Sequence, residues 1–527
     1  MEQRLLSRCV SSRRTVRPIV TTFGLVALAM LPGVLPAQST IEVPGTVPSI
    51  QQAILVAQSG DTIVVAPGTY FEAIDLLGKA ITLRSSDGPL VTSIDAQNGG
   101  SVVTMTSGEG PDTVLEGFTI TGGQIVGLDM TAGGAGIRIE GGAPVIRDNI
   151  IRDNVSSWRG AGIYAVNSNA RIERNRFISN SFFAPVADIW YGLGGGICVF
   201  GGEVEIIECA FTANVGGDTG GGVYLEGTAG SLLRSNIFTD NVNGLGGAIG
   251  VGPGSTVTIE NVLATGNIAS GRTSFIGPGE GLGGAIGVFG ATSVVIDGAT
   301  LVGNSCLDGF FADGEGAGVF VDGLTAAPVV VRNAIIRGNV AGLSSQVHPA
   351  VAVSYANIEG GFVGGTAIID ADPLFATGPE GDFYLQHTAA GEPQTSPCVD
   401  AGDPATVPFG TTRTDGGADV GPVDLGWHFL LDAIPWRRGD CNDDTTVNIA
   451  DAVFLLGNLF PGPGSVPPIG CEGACDANDD GNLNIADAIA ILGSLFVQPS
   501  IPIPPPAGSC GADPSPDALT CDAFDGC

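Results

Sequence analysis

The chain has 527 residues, of which 83 are glycine and 44% are hydrophobic. So much apolar content argues against a disordered chain, and glycine at this density indicates many tight turns in an ordered fold. With 54 acidic and 21 basic residues, the formal net charge is −33. A surface this acidic repels nucleic acid and anionic lipid, so we expect neither as a partner, whereas divalent cations are compatible with it.

The first 37 residues have the order of a secretory signal peptide. Five arginines precede an apolar run at residues 19–31, and Leu-Pro-Ala at 35–37 leads into a polar segment. This order predicts a signal peptide at 1–37 with cleavage near Ala37, and so a protein secreted to the extracellular space or the cell surface. No other stretch is long and apolar enough to cross a bilayer, so we expect no transmembrane segment after signal removal.

Residues 49–70 predict a cap for the structure that follows. This segment has the pattern of a short amphipathic helix, with Ser49 as its N-cap, followed by a strand. The segment precedes a series of repeats. If those repeats form a solenoid, its first coil needs such a cap, because the core of that coil would otherwise be open to water.

Seven similar segments, from VIRDNIIRDN at 145–154 to VRNAIIRGN at 331–339, form the middle of the chain. Each ends in asparagine, has an apolar residue eight positions earlier, and follows a glycine-rich turn and short strand such as GGAGIRI. The shortest period is 26 residues, which with these strands indicates the coils of a parallel solenoid. Asparagine tolerates left-handed turns, and stacked amides form hydrogen-bonded ladders. The closing residues are Asn154, Asn180, Asn214, Asn241, Asn267, Asn304 and Asn339.

These repeats resemble the right-handed parallel β-helix of the pectate-lyase-like superfamily. The resemblance covers roughly residues 40–400, and DPLF at 372–375 and SPCVDAGDP at 396–404 resemble the closing coils of secreted bacterial β-helix proteins. It implies an all-β solenoid at 38–430, including the N-terminal cap and a closing segment. This fold carries enzymes and binding proteins alike, so it leaves the function open.

Three insertions follow closing asparagines at the same point of the coil, at 181–191, 268–280 and 305–315. Insertions in a solenoid collect on one face, which is often the binding face. We therefore predict aromatic platforms for the sugar rings of a polysaccharide; the alternative is that these aromatic side chains fold back over the coil. The residues concerned are Phe182, Phe183, Trp190, Tyr191, Phe310 and Phe311.

Arginines are concentrated between residues 138 and 176, and Arg147, Arg152 and Arg174 are candidates for binding an anionic polysaccharide. The alternative is a set of exposed cross-strand ion pairs, because the column that contains Arg147 mixes both charge signs from coil to coil. If the β-helix is an enzyme, the resemblance implies a polysaccharide lyase or a glycoside hydrolase. A lyase needs a cation and a base, and a hydrolase needs two carboxylates. The sequence identifies no catalytic residue for either reaction.

Two segments near the C-terminus, DCNDDTTVNIAD at 440–451 and DANDDGNLNIAD at 476–487, place oxygen-bearing side chains at positions 1, 3, 5, 9 and 12. With the backbone carbonyl at position 7, these spacings match a calcium loop of the EF-hand type. The predicted ligands are Asp440, Asn442, Asp444, Thr446 (carbonyl), Asn448 and Asp451, and then Asp476, Asn478, Asp480, Asn482 (carbonyl), Asn484 and Asp487.

Aspartate at position 12, asparagine at position 9 and the apolar segments AVFLLGNLF and AIAILGSLF after the loops resemble a type I dockerin. The resemblance implies a small α-helical, calcium-binding module at 431–498 that binds a cohesin-like partner. Thr445 in place of a glycine and the insertion at 461–475 depart from the dockerin pattern. The alternative is that the residues expected at the partner surface pack the two helices together. These residues are Ile449, Ala450, Ile485 and Ala486.

Six of the 11 cysteines lie between residues 441 and 527. In an exported protein they predict a disulfide-stabilised C-terminal module and a Pro/Cys-rich tail at 499–527. Six cysteines allow fifteen pairings, so the sequence assigns none. In the solenoid, either Cys198 and Cys209 pair within one coil, or Cys209 replaces a turn asparagine in the inner column.

Overall fold

The structure, a computed structural model, describes residues 38–497 and 503–504. Within that span it omits 130, 184–191, 271–281, 307–315, 341–344, 380, 431–436, 445, 461–468, 470 and 480–481. The predicted signal peptide and nearly all of the predicted tail therefore lie outside the described residues. Among the described residues, no helix is long and apolar enough to cross a membrane.

Short apolar strands wind into coils, and the equivalent strands of successive coils pair in parallel. Sheet A has two strand positions per coil, which merge into one long strand in later coils. Its strands are Thr40–Val43, Thr62–Val65, Gly68–Tyr70, Thr82–Ser85, Thr92–Asp95, Val114–Glu116, Thr119–Thr121, Val145–Arg147, Ile150–Arg152, Arg171–Glu173, Arg176–Ile178, Glu205–Ile207, Ala210–Thr212, Ala229–Thr239, Thr256–Thr265, Ser293–Val302, Val330–Arg337, Ala352–Ile358 and Thr366–Ile369.

Sheet B is built from the strands that follow the glycine-rich turns. Its strands are Ile74–Asp75, Val103–Met105, Ile137–Glu140, Ile163–Ser168, Ile197–Gly202, Val223–Glu226, Ile249–Val251, Ile286–Val288 and Val319–Val321. Two three-stranded groups form the third side of the coils: Gln124–Ile125, Val155–Ser156 and Ser181–Phe182, then Val242–Asn243, Ile268–Ala269 and Ser305–Cys306. The described chain is therefore an all-β parallel β-helix, as the repeats predict.

The core of the β-helix is a stack of equivalent side chains. The apolar residues that precede each closing asparagine lie in register and are fully buried, from Ile146 through Ile172 to Val331. The closing asparagines form a continuous ladder, in which each Nδ2 donates to Oδ1 of the next at 2.9–3.0 Å from Asn154 to Asn339. Both predictions are confirmed, and the ladder satisfies polar groups that burial would otherwise leave unpaired.

Cys209 lies in a second, shorter ladder. The Asn175 N–H donates to its Sγ at 3.4 Å, and the Cys209 N–H donates to Asn236 Oδ1 at 2.9 Å. Cys198 faces the other way, between two tyrosines on the outer face of sheet B, and both thiols are free. Cys209 therefore replaces a turn asparagine, and the alternative of a disulfide within the coil is wrong.

The first coil is capped by helix α1 (Ile50–Val56), whose Ile50, Ala53 and Ile54 are buried. Ser49 is its N-cap, as predicted, and accepts the Gln52 N–H. Lys79, the only lysine of the chain, donates from Nζ to carbonyls at the end of this helix at 2.5–2.9 Å.

Residues 375–429, which we call the closing segment, turn back along the outside of sheet A. They begin with an antiparallel hairpin of Phe375–Gly378 and Gly381–Leu385, followed by a 3-10 turn at Thr388–Ala390. The Trp427 N–H donates to Thr300 Oγ1 at 2.8 Å, and the His428 N–H donates to Asn261 Oδ1 at 2.8 Å. The segment therefore crosses successive coils and buries part of their outer face.

The C-terminal part contains helices α2 (Ile449–Leu459), α3 (Glu472–Cys475) and α4 (Ile485–Phe496). The first and last follow the two predicted loops and pack together through a small apolar cluster that includes Leu455 and Ile491. A disulfide joins Cys441 in the first loop to Cys475, directly before the second.

Candidate functional site

The two loops at 440–451 and 476–487 share one backbone arrangement. The asparagine at position 9, Asn448 or Asn484, is the N-cap of the following helix, and its Oδ1 accepts the N–H two residues later at 2.8 Å in both loops. The residue at position 4 is left-handed in both, with φ of 59° at Asp443 and 61° at Asp479. Because the hydrogen bonds recur at a spacing of 36 residues, the two loops are structural repeats and not only sequence repeats.

The aspartate at position 12 joins the two ends of each loop through hydrogen bonds. It sits in the first turn of the following helix, and both of its carboxylate oxygens accept backbone N–H groups from its own loop. Asp451 accepts from Asn442 and Asn448, and Asp487 accepts from Asn478 and Asn484. This arrangement turns the negative charge of each aspartate toward the interior of its loop.

The loops bury more negative charge than nearby cations neutralise. The aspartates at positions 1 and 12 of both loops are fully inaccessible to solvent. In the described residues, two arginines lie near these four aspartates. The buried Arg438 donates to the Asp476 carbonyl at 2.7 Å and lies 2.8 Å from Asp479 Oδ1, and the charge of Arg437 acts on Asp440. Burial raises the pKa of Asp440, Asp451 and Asp487, and neighbouring carboxylates raise it further. Oδ2 of Asp440 has no hydrogen-bond partner.

The donor set of the loops suits a hard divalent cation. Every candidate ligand is an oxygen atom, and the unpartnered, buried Oδ2 of Asp440 is the kind of group that a cation satisfies. Among the described residues, no three acidic, histidine or cysteine side chains converge as metal ligands. The asparagine and carbonyl oxygens of each loop would therefore have to complete the ligand set. Asp480 lies outside the described residues.

The exposed side of the two helices is apolar. Ile449 is 54% exposed and Ile485 is 53% exposed, so neither packs between the helices. The contact between the helices uses other positions, such as Leu455 and Ile491. The exposed strip continues in the same register in both helices, with Val453 on α2 and Phe460 directly after it, and with Ile489 and Phe496 on α4. Ala450 is exposed and Ala486 is half-buried.

The arginine cluster forms ion pairs on the outer face of sheet A. Each candidate arginine has an acidic partner, either on a neighbouring coil or beside it in sequence. The closest contacts are 2.8 Å from Arg147 to Glu116, 2.9 Å from Arg174 to Asp148, and 3.7 Å from Arg152 to Asp153. The first two are cross-coil pairs of the kind that the alternative interpretation describes, and an anionic ligand would have to compete with the carboxylates.

Glu173 is the nearly buried centre of this network. Burial acts to raise its pKa, but the hydrogen bond from Arg171 and the charges of Arg174 and Arg147 outweigh burial and hold the pKa below its usual range. Arg171 lies 2.6 Å from this carboxylate. The positive charges of these arginines are therefore balanced by carboxylates of the same cluster.

Two of the six predicted platform aromatics lie in the described residues. Phe182 ends a short strand, and its ring lies against Gly192, where an added Cβ would lie 2.1 Å from a ring carbon. Phe183, by contrast, is 54% exposed. The other four aromatics, Trp190, Tyr191, Phe310 and Phe311, lie outside the described residues.

A polar and aromatic cluster on the outer face of sheet B was not predicted. Arg159 donates to Tyr164 Oη at 2.7 Å and lies over the ring of Phe200 at 4.3 Å. Tyr224, in register with Tyr164 two coils later, donates to Glu226 at 2.7 Å. A signal for it was present, because tyrosine recurs at the third position of the segments GIYAV and GVYLE.

Asp218 lies in a glycine-rich turn beside this cluster. Its N–H donates to the Gly192 carbonyl, and its own carbonyl accepts the Leu245 N–H at 2.8 Å, so the backbone is held between two neighbouring coils. Oδ1 is buried and has no hydrogen-bond partner. Burial raises the pKa of Asp218 to about 6. A carboxyl group with this pKa can both donate and accept a proton near neutral pH.

Comparison with known proteins identifies the solenoid. A family model described as a right handed beta helix region matches residues 49–219 and 187–373, which together make up more than half of the chain. Neither a curated protein nor a solved structure matches the chain. The family match ends at residue 373, before the closing segment, and does not cover the C-terminal module.

Proposed function

Because the chain belongs to the right handed beta helix family, we propose that it is an extracellular β-helix protein that recognises polysaccharide. We propose further that its C-terminal module, at 431–498, is a calcium-binding, dockerin-like module that attaches the β-helix to a cohesin-like partner protein. The N-terminal segment supports the secreted location, because its charged, apolar and small-residue regions follow the order of a signal peptide.

The observation that carries this proposal is the buried, incompletely neutralised acid at the same positions of two loops. Burying carboxylates close to one another is costly. In each loop the aspartates at positions 1 and 12 are both buried, and in addition to burial the charge of Asp451 raises the pKa of Asp440 as that of Asp476 raises the pKa of Asp487. Calcium would be held by these aspartates together with the asparagine and carbonyl oxygens of each loop, and it would supply the missing positive charge. The residues around each loop then hold these oxygens in place through the helix caps.

The apolar strips on α2 and α4 support attachment to a partner. Ile449 and Ile485 are related by the repeat, and the exposed apolar residues that follow them are related in the same way. Apolar side chains placed outside the helix contact are typical of a surface that is covered in a complex. Because the two strips are equivalent, the partner would bind in either of two orientations.

Calcium binding is tested on the full chain by isothermal titration after chelator treatment. We expect calcium to bind and to slow hydrogen exchange in residues 438–496 but not in the coils at 145–339, because a ligand bound only by the folded state stabilises it; the gain is about 2.7 kcal/mol at one hundred times Kd. The double variant Asp440→Asn, Asp476→Asn should lose both effects. Asp112→Asn, which removes an exposed carboxylate from a turn of the β-helix, is the matched control. A titration without heat and unchanged exchange would rule out the calcium sites.

Attachment is tested with a panel of purified cohesin domains in calcium. We expect Ile449→Asp and Ile485→Asp each to leave binding largely intact, since the other strip remains, and the double variant to lose it. If no cohesin binds the wild-type chain while calcium does, the partner assignment is wrong and the calcium sites stand.

Asp218 supports a second candidate function, a polysaccharide lyase or glycoside hydrolase. Its pKa of about 6 fits a proton-transfer role, and it lies beside the tyrosine and glutamate cluster of sheet B. Incubation with uronate polymers and neutral polysaccharides, followed by ultraviolet absorbance and reducing-end assays, tests this candidate. Activity that is lost in Asp218→Asn would establish it, and the absence of any product would leave binding as the function.

A further inference from the structure

A cavity of about 400 Å³ lies between the outer face of sheet A and the closing segment. Its floor comes from successive coils, where Arg234 pairs in register with Glu260, and Glu260 with Asp297. Its other wall comes from the closing segment, through Phe409 and His428. The volume falls within the usual range of about 300–1,000 Å³ for small-molecule sites.

The floor of this cleft offers hydrogen-bond donors and acceptors with little net charge. Arg234 Nε lies 2.9 Å from Glu260, and Asp297 lies 2.7 Å from Nε of Arg332, a residue of the next coil that pairs with the floor but does not itself line the cavity. All four side chains retain solvent exposure, from 15% at Asp297 to 49% at Arg234. Guanidinium groups only donate hydrogen bonds and carboxylates only accept them, whereas a hydroxyl group does both. Rows of such pairs therefore suit a ligand rich in hydroxyl groups.

The wall of the cleft that faces the floor is the ring of Phe409, which packs on the ring of His428. Phe409 is 41% exposed and stacks on the buried His428, with ring centres 5.4 Å apart. His428 is itself held by Asp419 at 2.9 Å and by the Gly426 carbonyl at 3.1 Å, so the support cannot easily rotate. An exposed aromatic face beside a polar floor is suited to a ring that has an apolar face and polar edges.

We propose that this cleft binds a neutral saccharide, with Phe409 stacking against a sugar ring and Glu260 and Asp297 accepting hydrogen bonds from its hydroxyl groups. An anionic sugar is disfavoured because Arg234 and Arg332 are already paired with carboxylates, which would repel it. A free cation is disfavoured because each carboxylate already has an arginine partner. This inference takes its ligand class from the proposed recognition of polysaccharide, and it does not depend on calcium.

The test uses the full chain, calcium-loaded, with hexasaccharides of glucose, xylose and mannose and with hexagalacturonate as the anionic probe. We expect at least one neutral hexasaccharide to bind by titration calorimetry and hexagalacturonate to bind at least tenfold more weakly. Phe409→Ala should weaken the neutral ligand about tenfold, a loss of about 1.4 kcal/mol, because the substitution removes the aromatic face on which the sugar ring stacks. Glu260→Gln, at an exposed site that does not threaten folding, should weaken it several-fold. Phe71→Ala, which removes another exposed phenylalanine, should have no effect.

Two outcomes would overturn the inference and separate it from the proposed function. If neutral saccharides bind and both cleft variants retain wild-type affinity, the site lies elsewhere, and polysaccharide recognition stands without the cleft. If no neutral saccharide binds the wild-type chain, the cleft assignment is wrong; binding of hexagalacturonate alone would then keep polysaccharide recognition, and binding of neither class would refute both.

Discussion

Replacing Asn241 with alanine tests whether the asparagine ladder stabilises the β-helix. Asn241 Nδ2 donates to the Phe211 carbonyl and to Asn267 Oδ1, each at 2.9 Å. Its Oδ1 accepts the backbone N–H and the Nδ2 of Asn214, each at 3.0 Å. The substitution therefore removes four buried hydrogen bonds. At about 1 kcal/mol net for each, we expect the free energy of unfolding to fall by about 4 kcal/mol.

Asn236→Ala is the matched variant, because it removes the same side-chain atoms from the neighbouring column. Asn236 makes only two such hydrogen bonds, to the Ile206 carbonyl at 2.8 Å and from the Cys209 N–H at 2.9 Å. We therefore expect a loss of about 2 kcal/mol by the same estimate. Neither position has positive φ, so alanine adds no backbone strain at either.

Guanidinium denaturation followed by circular dichroism measures both losses, and hydrogen exchange locates them. Exchange should accelerate in the coils that contain Asn214 and Asn267 and spread little beyond them, since each coil of a solenoid contacts its neighbours. If Asn236→Ala destabilises the protein as much as Asn241→Ala, the loss of side-chain volume, which is equal in both, sets the stability, and the reasoning from the ladder is wrong.

Three further predictions concern single sites. Because the pKa of Asp218, about 6, lies above that of an unfolded aspartate, the native state binds more protons, so stability should fall as pH rises from about 4 through 6; Asp218→Asn should make this pH dependence of the denaturation midpoint shallower, while the carboxyl groups of the C-terminal loops, whose pKa is also raised, keep their share. Arg147→Ala and Arg174→Ala should each change the free energy of unfolding by no more than about 1 kcal/mol, because their closest partners, Glu116 and Asp148, are solvent-accessible and Arg171 still pairs with the buried Glu173. Both variants should leave binding to polygalacturonate unchanged; a loss of binding would restore the cluster as an anion site. Replacing Cys441 and Cys475 with serine should cost the C-terminal module about 2–4 kcal/mol, measured by the urea midpoint of exchange in 438–496, with the β-helix unaffected.

The coils of the β-helix were predictable because each is specified by a short sequence pattern within that coil. Each coil repeats the same turn, strand and asparagine, so the alignment of the chain with itself already places Ile146 over Ile172 and Asn154 over Asn180. The cap was predictable for a similar reason, since Ser49 and the apolar positions after it lie within one helical turn of each other.

The position of the closing segment could not be predicted from the sequence. The contact of His428 with Asn261 joins residues 167 positions apart, and residues 375–429 contain no repeat from which to infer their position. The cleft beside Phe409 follows from this contact, so no spacing in the sequence predicted it. The cluster around Asp218 was missed for a different reason, since a raised pKa depends on burial by neighbouring coils.

The sequence by itself determined the parallel solenoid, the asparagine ladder, the helix cap and the repeated oxygen-bearing side chains of the two loops, because each is a short pattern of residues at a fixed spacing. Only the tertiary structure decided that the candidate arginines are neutralised in ion pairs, that Ile449 and Ile485 lie outside the helix contact, and that Cys209 lies in a ladder and not in a disulfide. Those outcomes depend on which side chains from different coils or helices meet, and on how much water is left around them.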